Sequence, residues 1–99
     1  MKEITVTELA ALTGATVIDV REPDEYAAVR VPGVINIPLG QLTEAELPDE
    51  PLYVICASGG RSARATDYLA SRDLDATNVA GGTNGWVQAG LPTESGPSA

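Results

Sequence analysis

The 99-residue sequence predicts one α/β domain, a parallel sheet covered by helices on both faces. Three observations predict it. Short β-prone segments alternate with short helix-prone ones along the chain. Leu52-Tyr53-Val54-Ile55 is apolar at every position, as a central parallel strand buried on both faces must be. No internal repeat interrupts the alternation. The domain is expected over residues 1–92, with residues 93–99, rich in Ser, Gly and Pro, as a flexible tail.

In chain order, Ile4 to Val6 is a strand candidate, and Thr7 reads as the N-cap of a short helix ended by Gly14. Thr16 to Val20 is a strongly β-prone run and forms a buried strand. Pro23-Asp24-Glu25-Tyr26 sets a proline and acids at a helix start, giving a short helix to about Val29. Pro32-Gly33 is a turn, Val34 to Ile37 a strand ended by Pro38, and Gln41 to Leu47 holds a helical turn. After the strand at Leu52–Ile55, residues 56–61 form a loop. Ser62 to about Arg72 is the longest helix, with Ala65 and Leu69 facing the core. Asn78-Val79 is a short strand broken by Gly81-Gly82, and Thr83 to Ala89 is a last helix around Trp86, read as a core plug. Phe is absent and Trp occurs once, so the core must be built of Val, Leu, Ile and Ala.

Composition removes several functions. Fourteen acids against six bases give a charge of −8, which disfavours nucleic acid and anionic membrane surfaces as partners. With no histidine, a Ser-His-Asp triad and a Cys-His dyad are excluded, and with one cysteine so is an internal disulfide. No metal and no cofactor are expected. The N-terminal segment carries Glu8 inside its apolar part and does not read as a secretory leader. No apolar run approaches the ~20 residues that span a bilayer. A cytoplasmic, reducing setting is the expectation.

Cys56, the only cysteine, directly follows the buried strand. The residues after it, Ala57, Ser58, Gly59 and Gly60, are small, and Arg61 and Ser62 lead into the long helix. Successive backbone N–H groups of residues 57–62 can curl into an anion-holding nest, and the positive end of the helix points at the same place. Arg61 adds a charge with several fixed donors. A thiol at the bottom of such a cup is expected to ionise readily, which replaces the general base that the chain lacks. The competing reading is an inert buried thiol. Its placement before a glycine-rich turn and a helix favours the reactive one. The loop lacks the Gly-x-x-x-x-Gly-Lys pattern of a nucleotide-binding loop.

Four segments in order resemble the rhodanese family over nearly the whole chain: Asp19 to Tyr26, Val31 to Leu39, Cys56 to Ser62, and Gly81 to Trp86 with Gly90-Leu91-Pro92. The resemblance implies a five-stranded parallel sheet with helices on both faces. It also implies sulfurtransfer: Cys56 takes the outer sulfur of a donor such as thiosulfate, and a thiol or cyanide acceptor then removes it. Ala57, Ser58, Gly59, Gly60, Arg61 and Ser62 are the implied substrate-binding residues. The implied partners are a small-molecule sulfur donor, thiosulfate or a persulfide, and a thiol acceptor or protein partner. Only four residues separate Cys56 from Arg61. That loop resembles those of the family's sulfurtransferases, whereas related dual-specificity phosphatases and arsenate reductases use one residue more. Two other functions compete, a persulfide carrier or binding module without real turnover and a phosphatase-like enzyme. The family usually shows Gly-His-Ile where this chain has Val29-Arg30-Val31, so Arg30 is expected to serve a different contact.

Around the loop, Asp19 is read first as a structural ion pair, with Arg21 as a candidate partner, and acceptance of bonds from the loop as the alternative. Arg21 and Arg30 are read first as structural or surface pairs, with lining of the site mouth as the alternative. Ser62 is read first as a helix cap, with a hydroxyl bond to sulfur as the alternative. Arg64 is read as solvated.

Overall fold

The computed structural model of the chain describes residues 1–97. Five strands, β1 (Lys2–Thr5), β2 (Thr16–Asp19), β3 (Ile35–Asn36), β4 (Leu52–Ile55) and β5 (Ala76–Ala80), form one sheet in the order β1-β5-β4-β2-β3. Every pairing is parallel. The helices are α1 (Val6–Ala10), α2 (Pro23–Ala28), α3 (Gly60–Ser71) and α4 (Gly82–Gln88), with a 3-10 segment over Leu39–Glu44.

The two-residue period of the strands sorts the core into two layers. Leu52 and Val54 of β4 join Ile18, Val20, Ala65 and Leu69 beneath α3. Ile55 joins Leu9, Val17, Val79 and Trp86 on the other face, where α1 and α4 pack. Cys56 continues the alternation of Leu52 and Val54 and belongs to the α3 layer. This puts its side chain on the face where α3 begins.

Several boundaries differ from the expected ones, each for a local reason. Thr5, not Thr7, caps α1: its hydroxyl accepts the Glu8 amide at 3.1 Å, and the Glu8 carboxylate accepts the Thr5 amide at 3.0 Å. Glu8 lies three residues after Thr5, the spacing a reciprocal capping box requires. The expected third strand narrows to Ile35–Asn36, yet the Ile37 amide still donates to the Asp19 carbonyl at 2.9 Å and the Leu39 amide to that of Val20 at 3.0 Å. The expected helical turn begins at Leu39 and is 3-10. Strand β5 extends to both sides of Asn78-Val79 because β4 and β1 pair with it.

Asp19 and Arg21 form a pair beneath the sheet's carboxyl edge. Both are buried, at 0% and 3% exposure. Arg21 donates from Nη2 at 2.7 Å and from Nε at 3.0 Å to the Asp19 carboxylate, and also to the Glu25 and Val29 carbonyls of the α2 segment. Neither Arg21 nor Arg30 lines the site mouth. Arg30 is buried against the Tyr26 ring, 4.3 Å from its centroid, and donates to the Gly96 carbonyl at 2.7 Å. The backbone of Arg30 also exchanges two bonds with Glu94, and the Gly96 amide donates to the Ala27 carbonyl. The segment read as a flexible tail from Thr93 is thus bonded to the domain as far as Gly96, because Arg30 supplies donors that a short polar strand can satisfy. Its last two positions, 98 and 99, lie outside the described residues. Trp86 is buried as expected, and its indole N–H donates to the Pro92 carbonyl at 2.7 Å. Among the described residues no helix is long and apolar enough to cross a membrane.

Candidate active site

The site is built where β4 ends and α3 begins. Helix α3 starts two residues earlier than expected, at Gly60, so Arg61 and Ser62 lie in its first turn and Gly59 is its N-cap. Gly59 adopts φ 117°, a conformation that side chains other than glycine rarely take. That turn aims the Gly59 amide at the cysteine, and the N–H donates to Cys56 Sγ at 3.1 Å. The Ser62 hydroxyl donates to the same sulfur at 3.3 Å or to the Gly59 carbonyl at 3.2 Å. Ser62 is therefore a hydroxyl donor at the thiol rather than the expected helix cap. Its place in the third position of the helix, one turn above Cys56, puts its side chain inward and leaves it fully buried.

Cys56 itself is 1% exposed. Burial pushes its thiol pKa up. The Ser62 hydroxyl, then the amides of Ser62, Gly59 and Ser58, outweigh that effect and hold the thiol below its ordinary range. The physical cause is donors that bond better to a thiolate than to a thiol. It follows that Ser62→Ala raises the thiol pKa. Since the thiolate is the reactive form, the pH profile of Cys56 alkylation by iodoacetamide is expected to move to higher pH in that variant, and an unchanged profile would contradict the role of the hydroxyl.

Arg61 does not reach over the sulfur as a free cation. Its Nη1 and Nη2 donate to Glu25 Oε1 at 2.7 Å and Oε2 at 2.9 Å, a two-bonded fork across α3 and α2. The Arg61 guanidinium holds the Glu25 carboxyl at about 2, against an ordinary 4.5, and Glu25 in turn raises the pKa of Arg61. A depressed carboxyl favours the folded state above its unfolded value, so the pair is intact at neutral pH and is lost only as pH falls through about 2. Ala57 is half-buried, whereas Ser58 and Gly60 are exposed at the loop's outer rim. Arg64 is exposed.

A second element holds the loop from behind. The amides of Thr83 and Asn84, in the first turn of α4, donate to the Cys56 and Ala57 carbonyls at 2.8 and 3.0 Å. Helix N-termini carry amides with no partner inside the helix, and here the Cys56 and Ala57 carbonyls satisfy two of them. Gly82 permits the approach. A Cβ there would meet the Cys56 and Ala57 carbonyl oxygens at 2.6 Å, and its φ of 58° strains any larger residue. Gly82→Ala is therefore expected to destabilise the fold by about 2 kcal/mol and to slow Cys56 alkylation severalfold as the loop shifts. Chemical denaturation and the alkylation rate measure the two effects.

The structure thus brings together Cys56, Gly59, Arg61 and Ser62, with Ala57, Ser58 and Gly60 completing the loop. Sequence reasoning missed Glu25 and the Gly82–Asn84 clamp. The Gly81-Gly82 pair was the available signal, since a double glycine directly after a strand marks a close backbone approach.

Comparison with known proteins agrees with this geometry. A family model for the rhodanese-like domain matches residues 5–89. A crystal structure of a rhodanese-related protein from Thermoplasma volcanium superposes with a TM-score of 0.88 at 35% identity, covering 95% of this chain and 98% of that one. Thiosulfate sulfurtransferase 16, chloroplastic, of Arabidopsis thaliana is 32% identical over 107 residues, covering 92% of this chain and 89% of that protein. An uncharacterised protein of Synechocystis is 31% identical over 93 residues, and the match covers 90% of this chain but only 52% of that protein's length. With a parallel five-stranded sheet, a buried cysteine at the end of its central strand, and sulfurtransferases among its distant relatives, the chain belongs to the rhodanese-like domain family.

Proposed function

We propose that the protein is a sulfurtransferase that carries a sulfane sulfur on Cys56. The observation that carries this reading is the pair of donors, the Gly59 amide and the Ser62 hydroxyl, converging on a thiol at the start of α3. With thiosulfate as donor, a lone pair of the Cys56 thiolate attacks the outer sulfur. The sulfur–sulfur bond of thiosulfate breaks, and its electron pair leaves with sulfite. The product is Cys56–S–S⁻, whose terminal sulfur keeps the negative charge. Cyanide or a thiolate then attacks that outer sulfur, forming thiocyanate or a new persulfide and returning the Cys56 thiolate.

The Gly59 and Ser62 donors favour the thiolate at Sγ, and the persulfide carries its charge one sulfur farther out, within the loop of residues 57–62. Ala57, Ser58, Gly59, Gly60, Arg61 and Ser62 form the proposed binding surface for the donor. The lone cysteine means that the acceptor comes from outside the chain. A reducing, cytoplasmic setting suits a free thiol with this role.

The test is a single-turnover transfer. Protein loaded with thiosulfate, then freed of it, is mixed with cyanide. One thiocyanate per chain is the expected yield. No thiocyanate from loaded protein would overturn the reading.

A further inference from the structure

Glu25, read from the sequence only as an acid at a helix start, is held against Arg61 of the loop. Both terminal nitrogens of Arg61 are engaged by its carboxylate. The two side chains are 36% and 32% exposed, so the pair is open to solvent, and Arg61 lies within electrostatic range of Cys56. The other charges nearby are also balanced: Asp19 is paired with Arg21. Arg64, the next cation along α3, is exposed, where water and salt screen it. Two further acids, Glu22 and Asp24, stand at the start of α2 on either side of Pro23.

The charge sum at the cup is therefore unusual for an anion site. Asp19 with Arg21 and Glu25 with Arg61 each add to zero, and the thiolate adds one negative charge. Only neutral dipoles, the amides and the Ser62 hydroxyl, remain to receive an incoming anion. Dipoles suffice for one negative charge. A second negative charge on the donor meets the thiolate, while the loop's own cation, Arg61, is held by the Glu25 carboxylate.

We propose that Glu25 is a charge-selecting residue: by closing Arg61 into an ion pair it turns the site against dianionic sulfur donors and towards neutral or singly charged ones, organic persulfides above all. This rests on Cys56 as the sulfur carrier. With an organic persulfide R–S–SH, the thiolate attacks the outer sulfur and R–S⁻ leaves, so the site never holds more than the charge of one thiolate and its product. The proton stays on the transferred sulfur until the persulfide ionises.

Two donors of nearly equal shape test the proposal. Thiosulfate is a dianion. Methanethiosulfonate replaces one of its oxygens with a methyl group and is a monoanion, leaving as methanesulfinate. Glu25→Gln keeps the acceptor oxygen that Arg61 and the Glu22 amide use and removes the charge. Loading rates are followed by the mass gained on Cys56. In Glu25→Gln the ratio of the thiosulfate rate to the methanethiosulfonate rate is expected to rise about tenfold, worth about 1.4 kcal/mol, while Glu25→Asp, which keeps the charge, leaves the ratio close to that of the wild type. An unchanged or lower ratio in Glu25→Gln would overturn the proposal.

A second measurement stands apart from sulfur transfer. Sulfate, a dianion that does not react, is titrated against iodoacetamide alkylation of Cys56 at constant ionic strength. Protection is expected at about tenfold lower sulfate in Glu25→Gln than in the wild type. Equal protection in the two proteins overturns charge selection. If neither donor loads the wild type, the carrier reading fails by itself, and the sulfate arm still decides what Glu25 does.

Discussion

Cys56→Ser is expected to reduce sulfur transfer to the uncatalysed background, a loss of about 10³-fold or more. A serine hydroxyl holds its proton far above neutral pH, and the chain contains no histidine to remove it. The Gly59 and Ser62 donors that favour a thiolate are too weak to ionise an alcohol. The substitution is nearly isosteric, and the Gly59 amide can donate to the new oxygen as it does to sulfur. Stability should therefore change by less than about 1 kcal/mol. Thiocyanate formation and a denaturation curve on the same sample separate the two effects. Lost activity with an intact fold is the expected pair of results. Residual transfer above background would place the nucleophile elsewhere.

The largest effect on stability is expected at Asp19→Ala. The substitution leaves the Arg21 guanidinium buried without its counter-charge, and removing one partner of a buried pair typically costs about 3–5 kcal/mol. That is a large share of the roughly 5–15 kcal/mol by which domains are stable. Function suffers too, because Arg21 bonds the Glu25 and Val29 carbonyls and so holds the helix that presents Glu25 to Arg61. The urea midpoint of the variant is expected to collapse. Replacing both residues, Asp19→Leu with Arg21→Met, should recover much of the loss, since no unpaired charge then remains. A drop below about 1 kcal/mol in the single variant would contradict this account of the pair.

The sequence made the scaffold legible because the sheet is parallel and apolar on both faces. Leu52–Ile55 was read with its true ends, since Pro51 precedes it and the small residues of the loop follow. Cys56 was placed correctly for the same reason. What escaped were contacts made across long stretches of chain. Arg61 and Glu25 are 36 residues apart, and no local pattern couples a loop cation to one acid among three in α2 and its cap. Arg30 was expected to serve a contact other than that of the family histidine. Its partner, the Glu94–Gly96 segment, lies in a stretch whose composition reads as tail. Ser62 was misjudged more locally. A serine near a helix start reads as a cap, but Gly59 with its positive φ takes that position and moves Ser62 one turn inward to the sulfur.

The same geometry refines the first view of how the thiol is activated. Arg61 was expected to supply the positive charge. In the fold that charge is spent on Glu25, and the hydroxyl and amides carry the activation. The loop is bonded on both sides: the start of α3 bonds the sulfur, and the amides of α4 bond the Cys56 and Ala57 carbonyls.

If Cys56 holds a transferable sulfur, the mass of the intact protein must report it. The chain is incubated with thiosulfate or with an organic persulfide, the donor is removed, and the mass is measured before and after treatment with cyanide or a thiol. A gain of one sulfur atom is expected, larger in yield with the persulfide, reversed by either acceptor and absent from Cys56→Ser. A mass that does not change with either donor, or a gain that survives in Cys56→Ser, would contradict it.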